Sequence, residues 1–170
     1  MELRAKKARA LLAYLAVENG RPITREQLAT LLWGGTRDER ARHNVRQVLS
    51  KIRQTCGSIV LSDGETLSIN RAICTIDIVE FERMAYSDDP NTLLNCLDLY
   101  RGDLLDGLHP REYEFEEWLR DARERLRGIA CDTIDRLTGI LIAQKKMTAP
   151  WSCLAAASPW ILRASQHTAN

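Results

Sequence analysis

Apolar residues recur at helical spacing through most of this chain, and the breaks fall where helix ends are expected. Lys6–Val17 carries Ala8, Leu11, Leu12 and Leu15 at i, i+3, i+4 and i+7, which predicts an amphipathic helix. Asn19-Gly20 stops it, and Pro22 follows. A second helix is expected after Thr24, where Gln27 completes a capping box and Leu28, Leu31 and Leu32 turn inward. Gly34-Gly35 ends that helix, and Thr36 with Glu39 offers a further capping box for a third. Two helices joined by a glycine turn satisfy the helix-turn-helix pattern.

The third helix sorts its residues sharply. At 100° per residue, Val45, Val48, Leu49 and Ile52 share one face with Ala41, while Arg40, His43, Gln47, Ser50 and Gln54 gather on the opposite one. Arg46, Lys51 and Arg53 flank that polar face, with Arg42 and Asn44 nearer the boundary of the core. A solvated helix usually interleaves Glu with Lys, yet no acid occurs from Arg40 to Gln54. Arg and Gln can pair with base edges, and Lys and Arg neutralise phosphates. The residues expected to meet nucleic acid are therefore Arg40, Arg42, His43, Asn44, Arg46, Gln47, Ser50, Lys51 and Arg53. A basic surface helix and a face that docks a protein are the competing readings.

Strand periodicity appears once. Ile59–Leu61 and Thr66–Ile69 flank Asp63-Gly64, predicting a hairpin with a type I′ turn at Asp-Gly. A helix followed at once by a hairpin describes a winged helix, though the acidic tip of Asp63 and Glu65 does not suit phosphate. Ile73, Ile76 and Ile78 read as a short strand closing against this wing.

Helices then return. Asp77 with Glu80 is expected to cap one that carries Phe81 and Met84. Asp89-Pro90 starts another with Leu93, Leu94, Leu97 and Tyr100, ended by Arg101-Gly102. From about Glu112 a long helix runs towards Lys145, burying Phe115, Trp118, Leu119, Ala122, Leu126, Ile129, Ala130, Ile134 and Leu137. The fold class expected is mainly α: a winged helix-turn-helix, then a helical domain.

Composition sharpens the picture. The net charge of +1 hides an asymmetry: residues 1–57 hold 12 Lys/Arg and 5 Asp/Glu, whereas residues 58–170 hold 12 and 18. A basic first third suits a polyanion partner and the acidic remainder does not, so the chain divides its labour. Five scattered cysteines with no C-x-x-C favour reduced thiols, and His43, His109 and His167 are too far apart for a local metal motif. The sequence implies no metal or cofactor. Glu112, Glu114, Glu116 and Glu117 resemble an acid–base cluster, but acids also enrich the first turn of a helix. No nucleophile arrangement and no G-x-x-x-x-G-K-S/T loop accompanies them, which argues against an enzyme. No apolar run reaches membrane-spanning length, and the basic-then-apolar start reads as a cytosolic helix, so a cytoplasmic protein without a membrane partner is expected.

KARALLAYLAV, GRPITREQLATLLW and DERARHNVRQVLSKIR together resemble the OmpR-type winged helix that opens SARP/BTAD-type bacterial transcriptional activators. CTIDIVEFERMA, LYRGDLLDGL and EFEEWLRDARERLR continue the likeness into the bacterial transcriptional activator domain, in family order over roughly residues 4–142. The resemblance implies double-stranded DNA as partner and reading by the third helix. It also implies a tetratricopeptide-like second domain for homodimerisation on direct repeats and for contact with RNA polymerase. The domains expected are 1–72 winged helix, 73–144 partial helical activator domain and 145–170 an aberrant or disordered tail.

Two departures from the family follow. About five residues precede the first helix where the family has an antiparallel sheet, so a truncated start and one exposed side of the helical core are expected. The tail lacks helical periodicity, and a shifted reading frame of Pro159–Asn170 can encode a segment like the family's next helix. A frameshift within residues 143–153 is therefore expected. The remaining alternatives are a helical interaction module that does not bind DNA and a gene remnant without function.

Overall fold

The computed structural model describes residues 5–143, and the expectations for the tail lie outside them. The fold is mostly helical with one small three-stranded antiparallel sheet, a winged helix followed by a helical region. Among the described residues no helix is long and apolar enough to cross a membrane.

The first helices follow their patterns closely. Helix α1 spans Lys6–Val17, with Ala8, Ala10, Leu11 and Leu15 buried, and α2 spans Arg25–Trp33. The capping box at the start of α2 is complete: Thr24 accepts from the Gln27 backbone, and the Gln27 side chain accepts from the Thr24 backbone at 2.9 Å. Helix α3 spans Asp38–Cys56 and buries Ala41, Val45, Leu49 and Ile52. Its expected capping box at Thr36 does not form. The Gly34-Gly35 turn consumes Thr36, whose N–H closes on the Trp33 carbonyl at 2.9 Å, so the helix starts one residue later with Arg37 as its N-cap. Asp38 and Glu39 in the first turn complement the helix dipole instead. At the far end Gly57, with φ of +65°, donates its N–H to the Arg53 carbonyl, a conformation that a side chain would strain.

The sheet differs from expectation in two ways. Strand β1 (Ile23–Thr24) pairs with β3 (Thr66–Ile69), which pairs with β2 (Val60–Asp63), giving the order β1-β3-β2. The third strand is thus Ile23–Thr24 and not the Ile73–Ile78 segment, in which Ile73 lies exposed in a turn and Ile78 is helical. The hairpin register Asp63↔Thr66 leaves Gly64 and Glu65 as the turn, one residue later than Asp63-Gly64. Only Gly64 of the two has a positive φ, which fits type II′ and not type I′.

Two compact units divide the described residues. The first runs to Val79 and takes up Leu104–Glu124. Its core joins Leu11, Leu15, Leu28, Leu32, Val45, Ile52 and Leu67 to Leu108, Phe115 and Leu119. The expected exposed side of the helical core is not found at Leu11 and Leu15, which are at most 1% exposed and share one core with Leu108, Phe115 and Leu119. Tyr14 meets Trp118 edge-on at 4.9 Å, and Lys7 donates to Glu112.

The second unit holds Glu80–Asp103 and continues from Arg125. Helix α4 spans Asp77–Met84 and α5 Pro90–Leu99, while α6, Tyr113–Ala143, contributes its first part to one unit and the rest to the other. Glu80, expected to complete a cap on Asp77, accepts from Arg83 instead, and Asp77 accepts from Ile78. Asp89 caps α5 as expected, accepting from the Thr92 N–H at 2.8 Å. Phe81, Leu93, Cys96, Ala130 and Leu137 are buried, and so is Thr133, whose hydroxyl donates to the Ile129 carbonyl. Burial pushes the Cys96 thiol up to about 11 against a smaller opposing effect of Thr133. Arg125 pairs with Glu82, Arg127 with Asp103 and Arg136 with Asp88.

Candidate nucleic-acid interface

Burying Ala41, Val45, Leu49 and Ile52 leaves the rest of α3 facing outward. Of the nine residues expected to meet nucleic acid, Arg40, Arg42, His43, Arg46, Gln47, Ser50, Lys51 and Arg53 are exposed, and Asn44 is half-buried. All nine lie on this single helix, so one rigid element brings them together. Helical geometry groups them in three strips. Arg40, His43, Gln47 and Ser50 lie outermost, Arg42, Arg46 and Arg53 form a basic flank, and Lys51 and Asn44 form the other.

Within the outer strip one internal bond is made: the Nε2 atoms of Gln47 and His43 lie 2.9 Å apart. Among the described residues none of the five cations on this stretch is engaged in an ion pair, so their charge is directed to solvent. Asp38 and Glu39 make the first turn of α3 acidic, which confines the unopposed positive potential to the stretch from Arg40 onward.

The wing is fastened to the scaffold by a residue that the sequence pattern did not single out. Arg25, first in α2, donates its backbone N–H to the Glu65 carbonyl at 2.9 Å. Its guanidinium donates to the Ser62 hydroxyl at 2.8 Å and to the Gly64 carbonyl at 3.3 Å. Basic residues cannot be sorted into structural and solvent-facing ones by charge alone, so no sequence signal marked this one. Arg37, exposed at the N-cap of α3, adds a cation beside the outer strip.

The arrangement is a helix-turn-helix with a wing, presenting an acid-free basic face on its last helix. Residues 3–63 match the family model described as "Transcriptional regulatory protein, C terminal". The match runs from residue 3 to the end of β2 and covers a little over a third of the 170 residues. It takes in α1, α2, α3 and the first wing strand, and it supports a DNA-binding transcriptional regulator. The matched family is a DNA-binding regulatory domain and not a known enzyme family. No curated protein matches the chain.

Proposed function

We propose that this protein is a sequence-specific transcriptional regulator whose α3 enters the major groove of double-stranded DNA. The observation that carries the reading is the division of α3: one side sealed into the core, the other exposing amides and cations without an acid from Arg40 to Gln54. Arg40, His43, Asn44 and Gln47 occupy the N-terminal half, where base contacts concentrate in this motif. Asn44, half-buried, has the shortest reach of the four. Arg42, Arg46, Ser50, Lys51 and Arg53 hold the phosphate backbone, which positions the helix without specifying sequence.

The finer reading follows the likeness to SARP/BTAD-type activators. Residues 1–72 bind DNA, while residues 73–144, a tetratricopeptide-like helical domain, serve homodimerisation on direct repeats or contact with RNA polymerase in the cytoplasm. The helical character of α4, α5 and α6 supports this assignment.

A mobility-shift titration of the full chain on duplex DNA tests the proposal. Binding should fall steeply with salt, because each neutralised phosphate releases counterions. Replacing Arg40, Arg46 and Lys51 together with Ala should abolish binding to all duplexes. Binding that survives this change overturns the groove-facing role of α3 and favours a protein-docking face.

A further inference from the structure

His43 and Gln47 stand one turn apart on the outer strip of α3, both exposed, with their Nε2 atoms at 2.9 Å. A carboxamide nitrogen offers N–H groups and no accepting lone pair, so Gln47 donates and His43 accepts. An imidazole nitrogen that accepts carries no hydrogen, which places the ring hydrogen on Nδ1. The bond occupies one Gln47 N–H, and the second N–H and the carbonyl oxygen remain to offer a donor–acceptor edge. That edge complements adenine in the major groove, where N7 accepts and the N6 amino group donates. Turning the amide over interchanges donor and acceptor and sets oxygen against N7.

We propose that His43 is a positioning residue that fixes the Gln47 carboxamide in the donor–acceptor order favouring adenine, and that protonation of His43 reverses this order. The inference rests on the reading of α3 as the groove-facing helix. A protonated imidazole donates from both nitrogens and can hold only the Gln47 oxygen, so the carboxamide turns about its terminal bond. The added charge also attracts phosphate whatever the sequence. Protonation of His43 therefore weakens sequence-dependent binding while strengthening sequence-independent binding. A simple phosphate contact by His43 would do only the second. The charged side chains nearest along α3 are Glu39, Arg40, Arg42 and Arg46. Among the described residues none of these forms an ion pair or hydrogen bond with His43, and neither does any side chain of another element.

The test selects sites from a randomised duplex library with the full-length chain, His43→Ala and Gln47→Ala, at about pH 7.5 and about pH 5.5. The unfolding midpoint of each protein is recorded alongside. At the higher pH the unaltered chain should prefer adenine at one position by roughly tenfold, the scale of a bidentate contact. Gln47→Ala should abolish that preference and His43→Ala should lower it by about threefold or more, with unfolding midpoints unchanged because both side chains are exposed. At the lower pH the preference should fall in the unaltered chain and stay constant in His43→Ala. An adenine preference that His43→Ala leaves intact, or a pH response that persists in that variant, overturns the role given to His43. Sequence selection that Gln47→Ala does not alter removes Gln47 as the reader and overturns the inference too. If the unaltered chain selects no duplex even in dilute salt, the groove-facing reading itself falls, and this inference with it.

Discussion

Lys7 donates to the Glu112 carboxylate at 2.5 Å, joining the second residue of α1 to the residue just before α6. Lys7 also donates to the Leu32 carbonyl at 2.8 Å, one of the acceptors that the end of α2 leaves open, and lies 4.9 Å from the Trp33 ring centroid. The pair is largely shielded, with side-chain exposures of 28% and 20%, so water screens it less than the surface pairs. The two partners are not equivalent. Lys7→Met strands both a carboxylate and a carbonyl and should cost about 2 kcal/mol, whereas Glu112→Gln leaves Lys7 its carbonyl and ring and should cost under about 1 kcal/mol. Urea unfolding of both variants checks the order. Equal losses would mean that the Leu32 and Trp33 contacts contribute nothing.

Phe115 is fully buried in the first unit, against the same core as Leu11 and Leu15. Phe115→Ala should cost about 3–5 kcal/mol, the lost transfer energy plus that of the cavity. Because Phe115 helps to complete the surroundings of α1, DNA binding at elevated temperature should fail together with stability. Circular dichroism and mobility shift followed over the same temperatures make the comparison.

Gln47 and Lys51 should separate specificity from affinity. Gln47→Ala should cost about 1–3 kcal/mol on the preferred site and little elsewhere. Lys51→Ala should weaken binding to every duplex and reduce the salt slope by about 0.9. A salt titration in which the slope does not change would contradict the phosphate role of Lys51.

Asp89 gives a pH-dependent prediction for stability. Its carboxylate accepts from the hydroxyl and the backbone N–H of Thr92, and these bonds hold its pKa below the ordinary carboxylate value. A lowered folded-state pKa contributes stability above the unfolded value, near ~3.9, and loses it as pH falls through the lower folded value. The gap in unfolding midpoint between the unaltered chain and Asp89→Ala should be widest near neutral pH and close at strongly acid pH. A gap that persists unchanged into acid would assign the effect to something other than the charged cap.

The elements with long, strict periodicity were legible in the sequence. The bounds of α1, the Thr24 capping box, the Asp89 cap and the buried stripe of α3 all follow from spacing and end signals that local sequence carries. The misreadings occur where tertiary structure decides. Ile23–Thr24 is too short to show a period, and only its pairing with Thr66 and Leu67 makes it a strand. Asp-Gly is a strong turn signal, yet the Asp63↔Thr66 pairing moved the turn by one residue. Thr36 shows the same limit: its N–H closes a turn on the Trp33 carbonyl, and it does not cap α3. Sequence spacing also could not show that Leu108, Phe115 and Leu119 belong to the core around α1, since that contact bridges some hundred residues of chain. Of the candidate interface, helical geometry gave the exposed strips of α3, while the bond between His43 and Gln47 needed side-chain coordinates.

Arg25 illustrates how two cations of equal charge can be unequal in use. Its planar fork grips the hairpin tip through Ser62 and Gly64, whereas Lys51 makes no ion pair or hydrogen bond among the described residues. A swap of Arg25 for Lys would conserve the electrical field and still loosen the hairpin, because an ammonium lacks the fork's geometry. The reverse swap, Lys51 to Arg, changes no bond within the fold. Homologous chains should consequently drift between the two basic residues at one position and resist such drift at the other.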